Sequence, residues 1–146
     1  MTVQRYQIAA IQMTSGKQPD DNLRQAGALL AEARQKGAEL AVLPENFAGY
    51  GVDYRVLGER HDELVGWLCE QASSLDMAII GGSLPALQRP DGQPVPSPLV
   101  RTCSIAVNAA GNAWPATTSC TCSMRMCRMP RVVTVSRILL SPARRW

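Results

Sequence analysis

An α/β fold is predicted by three features of the 146-residue sequence: apolar runs of strand length, amphipathic stretches of helical length between them, and links of only a few residues. Strand, helix, strand, helix, strand joined in this way favours right-handed crossovers, hence a mainly parallel sheet with helices packed on it. No internal repeat interrupts this order.

Tyr6 to Met13 (YQIAAIQM) is an apolar run closed by Thr14-Ser15-Gly16, which predicts a buried strand followed by a loop. Pro19-Asp20-Asp21-Asn22 supplies acids and a capping side chain for a helix start. Leu23, Ala26, Leu30 and Ala33 then recur at helical spacing until Gly37, with Arg24, Glu32 and Arg34 on other faces. Ala38 to Leu43 predicts a second buried strand, and Pro44, lacking an amide proton, is expected to end it with Glu45 just beyond. A Gly- and Tyr-containing loop leads to a second helix over His61 to Leu75, striped by Leu64, Leu68, Ala72 and Leu75. Met77 to Ile80 predicts a third strand running into Gly81-Gly82-Ser83. Four prolines and a glycine make 88–98 a surface loop. Val100 to Asn108 alternates Cys103, Ile105 and Val107 with Thr102, Ser104 and Ala106, a fourth strand ending in a turn over Asn108 to Gly111.

Hydrophobic residues make up 46% of the chain, enough for a core, and no apolar run approaches the roughly 20 residues that cross a bilayer. The N-terminus lacks the basic start and small-residue cleavage site of a secretion signal, so the expected address is the cytoplasm, with no membrane partner. The net charge of +3 is unevenly spread. All 12 acidic residues lie at or before Asp91, giving −3 over residues 1–111, whereas 112–146 holds six arginines and neither acid nor lysine. Cysteines are uneven too: Cys69 and Cys103 stand in apolar contexts as expected buried thiols, and Cys120, Cys122 and Cys127 crowd the last segment. Metal sites favour paired two-residue spacings and a fourth ligand, so no metal is expected there. The arginines have no aromatic interleaving or recognition motif, so no nucleic-acid partner is expected either. His61, the single histidine, reads as a solvated helix start.

Glu45 is the candidate catalytic residue, because a carboxylate at the C-terminal end of a buried strand lies where open α/β sheets place their sites. Position alone also fits a solvated Glu or a cap on a neighbouring turn. LPENFAGYG (Leu43 to Gly51) resembles the segment bearing the catalytic glutamate in the nitrilase superfamily of carbon-nitrogen hydrolases. IAAIQM with Gln12, Asn22-Leu23, Gly37-Ala38, Gly81-Gly82-Ser83 and Asn108 to Gly111 follow in that family's order, so the resemblance spans nearly all of residues 5–111. It implies the N-terminal part of an αββα sandwich and hydrolysis of small amides through a cysteine thioester. Glu45 is the implied general base, a partly buried carboxylate with a raised pKa, assisted by a lysine that stabilises the oxyanion. It further implies a small-molecule amide as partner, no metal or organic cofactor, and a homo-oligomer for an intact relative.

The family's lysine is expected shortly after the Gly111 hairpin, but the chain there reads NAWPATTSCTCSMRMCRMP. Lys17 and Lys36 lie in other parts of the fold, and neither Cys69 nor Cys103 stands in a nucleophile context of the family. Asn112 to Pro130 can be back-translated so that one borrowed G and a shift of phase yields ERVARYDKLHLFDADVPDA, which carries the expected lysine. Met and Trp codons are fixed and first bases nearly so, which leaves little room to arrange the agreement. The expectation is therefore an N-terminal hydrolase part over 1–111, a non-native, disordered out-of-frame tail over 112–146, and no activity in this chain. The alternative is a non-catalytic α/β interaction module whose basic tail binds an acidic partner.

Overall fold

The computed structural model describes residues 6–119. Its elements are β1 (Ile8–Ala10), α1 (Pro19–Gln35), β2 (Leu40–Glu45), α2 (Tyr54–Glu59), α3 (His61–Leu75), β3 (Ala78–Ala86), β4 (Arg101–Val107) and β5 (Ala113–Ser119). All five strands form one sheet in the order β1-β2-β3-β4-β5. β1, β2 and β3 run parallel, as the strand-helix-strand pattern requires, whereas β4 and β5 are added antiparallel. The long 88–98 loop returns the chain at the same end of the sheet, so the mixed sheet follows from a link without a crossover helix.

Strand alternation decides which face is covered. Ala41 and Leu43 of β2, Ile79 of β3, and Cys103, Ile105 and Val107 of β4 are buried in one core with Leu23, Ala26, Leu30 and Ala33 of α1 and Leu64, Leu68 and Ala72 of α3. Each fully buried leucine in this layer contributes about 1.5–3 kcal/mol relative to exposure. Leu40, Val42, Ile80 and Ala106, on the alternate positions, are only half-buried. One sheet with helices on one face is one αβ half of the expected sandwich.

Several boundaries differ from the sequence expectation. α1 has no side-chain cap at its N-terminus, and Asn22, expected to help there, is instead buried on the core stripe. β2 continues through Pro44. Val42 accepts from the Ile11 amide at 2.9 Å, so Pro44, two residues on, faces the β1 side just past that strand's last residue, where a missing N–H leaves no ladder bond unmade. α2 lies inside the expected loop, started by the Asp53 carboxylate, which accepts from the Arg55 amide at 2.8 Å. β3 runs on past Ile80 to Ala86 by means of an irregularity between Ile80 and Leu84.

The chain after Gly111 does not leave the sheet at once. Asn108 accepts from the amides of Ala110 and Asn112, closing the turn, and β5 pairs with β4 as an edge strand with a register shift beside Pro115. An antiparallel ladder is made of backbone groups, so pairing at this edge needs little from side-chain identity. The rest of the expected tail, 120–146, lies outside the described residues, and with it Cys120, Cys122 and Cys127.

Candidate functional site

Glu45 is the last residue of β2 and stands opposite Ser83 of β3. Its position is fixed by what surrounds its backbone. Asn46 takes a left-handed conformation (φ 55) and its amide donates to the Ser83 hydroxyl at 3.1 Å, so the chain turns sharply away from the sheet immediately after the carboxylate. Gly82, at φ 38, brings its backbone so close that a β-carbon would lie 2.0 Å from the Pro44 carbonyl oxygen. A β-carbon at Gly81 would lie 2.4 Å from Leu68 Cδ1. The Gly81-Gly82-Ser83 motif therefore fits the tip of β3 between α3 and the end of β2, and then supplies the hydroxyl that holds the turn.

A second set of bonds secures the loop beyond. Asn22, 4% exposed, accepts from the Gly16 amide at 2.8 Å and donates to the carbonyls of Gly16 at 2.9 Å and Ala48 at 3.1 Å. The Ser15 hydroxyl donates to the Phe47 carbonyl, and the Tyr50 amide to that of Gly16. Phe47 itself is fully buried, stacked at 6.0 Å on Trp67 of α3. The loop after β1 and the loop after Glu45 are thus tied by one buried amide. Sequence reasoning placed Asn22 at a helix start; the signal it missed was a polar residue in phase with Ala26, Leu30 and Ala33.

The Glu45 side chain is exposed, not partly buried, and makes no hydrogen bond or ion pair among the described residues. No lysine forms an ion pair with it: Lys36, just past α1, pairs with Glu32 at 2.5 Å, and Lys17, which precedes that helix, lies with its side chain beside Gly51 of the loop beyond Glu45. No cysteine is brought to it either. Cys103 lies on β4 facing α3, its thiol pushed above the usual range by burial with the Arg101 charge opposing, and Cys69 lies in α3. His61 does begin α3, as expected, but it is half-buried rather than solvated: its Nδ1 is 2.9 Å from the Pro85 carbonyl and its Nε2 4.0 Å from Cys103 Sγ. Among the described residues no group of three or more His, Cys, Asp and Glu could hold a metal ion, and no helix is long and apolar enough to cross a membrane. Chemically, the strand end offers one open carboxylate on a rigid mount.

Comparison with known proteins gives this mount a context. An omega-amidase of Xenopus laevis is 32% identical over 88 residues, covering 56% of this chain and 30% of the relative. One from Danio rerio is 32% identical over 106 residues, covering 69% and 35%. The chain therefore spans about a third of the length of the curated relatives it matches. Among solved structures, an amidase of the nitrilase superfamily from Nesterenkonia in complex with butyramide superposes with a TM-score of 0.61 at 23% identity, over 75% of this chain and 41% of that one. The Caenorhabditis elegans NitFhit protein gives 0.63 at 19% identity, over 86% and 30%. These structures share the fold, and the sequence profile that matches residues 7–102, about two thirds of the chain, is that of the carbon-nitrogen hydrolases. The chain belongs to the carbon-nitrogen hydrolase family.

Proposed function

We propose that this chain descends from a cytoplasmic amidase acting on small amides, that Glu45 is the catalytic carboxylate of that enzyme, and that the chain as it stands is inactive. The observation that carries this reading is the mount of Glu45: a family-matched strand end, clamped by Ser83 and Asn22, with the carboxylate left open.

In the intact reaction Glu45 takes the proton of a cysteine thiol as the sulfur attacks the amide carbon. A lysine stabilises the oxyanion, the proton passes to departing ammonia, and a thioester remains. Glu45 then deprotonates the water that hydrolyses it. The relatives named omega-amidases favour a short ω-amide as substrate. The intact enzyme works as a homo-oligomer and needs no metal or organic cofactor.

Among the described residues Glu45 stands without the other two groups. No described lysine forms an ion pair with Glu45, no described cysteine hydrogen-bonds to it, and 112–146 contains no lysine at all. We assign the loss to a phase change near the Gly111 codon. The restored reading of Asn112 to Pro130 supports it, as does the change from a net −3 to +6 across that point. Losing a nucleophile from a group of residues that acts as a unit costs on the order of a million-fold.

Sequencing the gene and assaying two proteins tests this. The 146-residue chain is expected to leave glutaramate and butyramide unhydrolysed, while the product of the gene with one base restored near the Gly111 codon hydrolyses them and loses that activity with Glu45→Gln. Turnover by the 146-residue chain at ordinary rates, or DNA that supplies no hydrolase sequence in any frame downstream, overturns it.

A further inference from the structure

A cavity of about 540 Å³ opens where the start of α3 and the loop after β3 meet β4, and Glu45 is not in its wall. Its volume is that of a small-molecule site. Arg101, Cys103 and His61 line it together with the acids Glu59 and Asp62.

Arg101 is the unusual member. It is 7% exposed, and among the described residues its guanidinium makes one hydrogen bond, from Nη1 to the Gln88 carbonyl. None of the ion pairs among the described residues includes it. Residues 1–5 and 120–146 contain no Asp or Glu, so no side-chain carboxylate outside the described residues can pair with it. Among the described residues no buried side-chain nitrogen lacks a partner, so the nitrogens of Arg101 without a hydrogen bond keep some access to solvent, and Arg101 lines this cavity. A guanidinium largely withdrawn from water and left without a counter-charge is costly, and a bound anion removes that cost.

We propose that this cavity is a binding site for a small organic monocarboxylate, held by the open edge of the Arg101 guanidinium with the Cys103 thiol beside it. A guanidinium fork matches a carboxylate in plane and spacing. Arg89 lines the wall as well, so the two arginines are balanced by Glu59 and Asp62 and the wall carries no net charge, which favours a monocarboxylate over a dianionic phosphate. His61 Nδ1 lies 2.9 Å from the Pro85 carbonyl, which turns the ring's other nitrogen toward Cys103 and makes the imidazole part of the wall.

Cys103 makes the site readable without knowing its natural ligand. Iodoacetate and iodoacetamide carry the same CH2–I electrophile behind an anionic or a neutral group. With either, the thiol gives its proton to solvent base, the sulfur displaces iodide and one S–C bond forms. Labelling of the full 146-residue chain is read by peptide mass spectrometry, with Cys69 as the internal reference. The ratio of iodoacetate to iodoacetamide labelling is expected to be on the order of tenfold higher at Cys103 than at Cys69. Arg101→Met brings the ratio at Cys103 to that at Cys69, Arg101→Lys keeps part of the difference, and excess propionate slows iodoacetate at Cys103 alone while phosphate does not. Equal ratios at the two cysteines, no labelling of Cys103 by either reagent, or a ratio unmoved by Arg101→Met overturns the proposal. Should Arg101→Met unfold the chain, seen as a rise in Cys69 labelling to its denatured rate, propionate competition on the unaltered chain decides alone.

Discussion

A β-carbon on Gly82 would lie 2.0 Å from the carbonyl oxygen of Pro44, the residue immediately before Glu45. The obstacle is backbone on both sides, and Gly82 also has φ 38, so neither strand can yield without moving the candidate carboxylate. Gly82→Ala is expected to destabilise the chain by about 3 kcal/mol in urea denaturation, the upper part of the range for overpacking plus left-handed strain. Gly66→Ala is its control. That glycine is in α3 with nothing within 4 Å of an added β-carbon, and alanine there should stabilise by about 0.5–1 kcal/mol.

Much of this was legible beforehand, because burial of alternate strand positions and of one helical stripe is what apolar periodicity reports. Ala41 and Leu43, and Leu64, Leu68 and Ala72, lie where the pattern puts them. The place of Glu45 at a strand end was legible for the same reason, whereas its candidacy as the catalytic carboxylate rests on the resemblance of LPENFAGYG. What the pattern missed depends on contacts between distant segments. β3 reads as ending at Gly81-Gly82, since nothing local says that Pro44 of another strand will press on those glycines. Asn22 reads as a cap because Asn commonly caps; its partners, Gly16 and Ala48, meet it only after β1 and β2 are aligned. The exposure of Glu45 is likewise invisible locally, since a strand end is buried or open according to what covers the sheet.

Asn22→Ala tests the tie between the two loops. It leaves the Gly16 amide and the Ala48 carbonyl without their partner and takes one of two donors from the Gly16 carbonyl, which keeps the Tyr50 amide, and the expected loss is about 2 kcal/mol. Asn22→Asp is expected to be no milder. A carboxylate can still accept from the Gly16 amide but meets two carbonyl oxygens where Nδ2 donated. Hydrogen exchange should show faster exchange at the Tyr50 amide, which bonds the Gly16 carbonyl, in both variants.

Arg60 joins α1 to α3: its Nη2 donates to Asp20 at 2.8 Å, and its Nε donates to Glu63 at 2.8 Å. Those hydrogen bonds hold the guanidinium above its ordinary value and the Glu63 carboxyl below its own. A carboxyl whose pKa is lowered on folding stabilises the chain above the unfolded carboxylate value, and that stabilisation is lost as pH falls through the folded value. Arg60→Gln is therefore expected to flatten the acid limb of stability against pH, with the curves converging at low pH. Because the pair is solvent-exposed, 1 M salt should shrink the difference as well.

Cys103 gives the opposite slope. Burial pushes its thiol up, with the Arg101 charge working against the shift, so the folded chain holds this proton more tightly than the unfolded chain does. The resulting stabilisation is fully present below the unfolded thiol value and is lost as pH rises through the folded value. Stability is thus expected to fall above the ordinary thiol range in the unaltered chain, and less so in Cys103→Ser, whose hydroxyl does not titrate there. The serine variant should start lower at neutral pH by about 1 kcal/mol, since its hydroxyl is a more polar group in the same buried place. Circular-dichroism melts between neutral pH and the alkaline side of the thiol range measure both effects. Parallel curves for the two proteins would place the alkaline loss in some group other than Cys103.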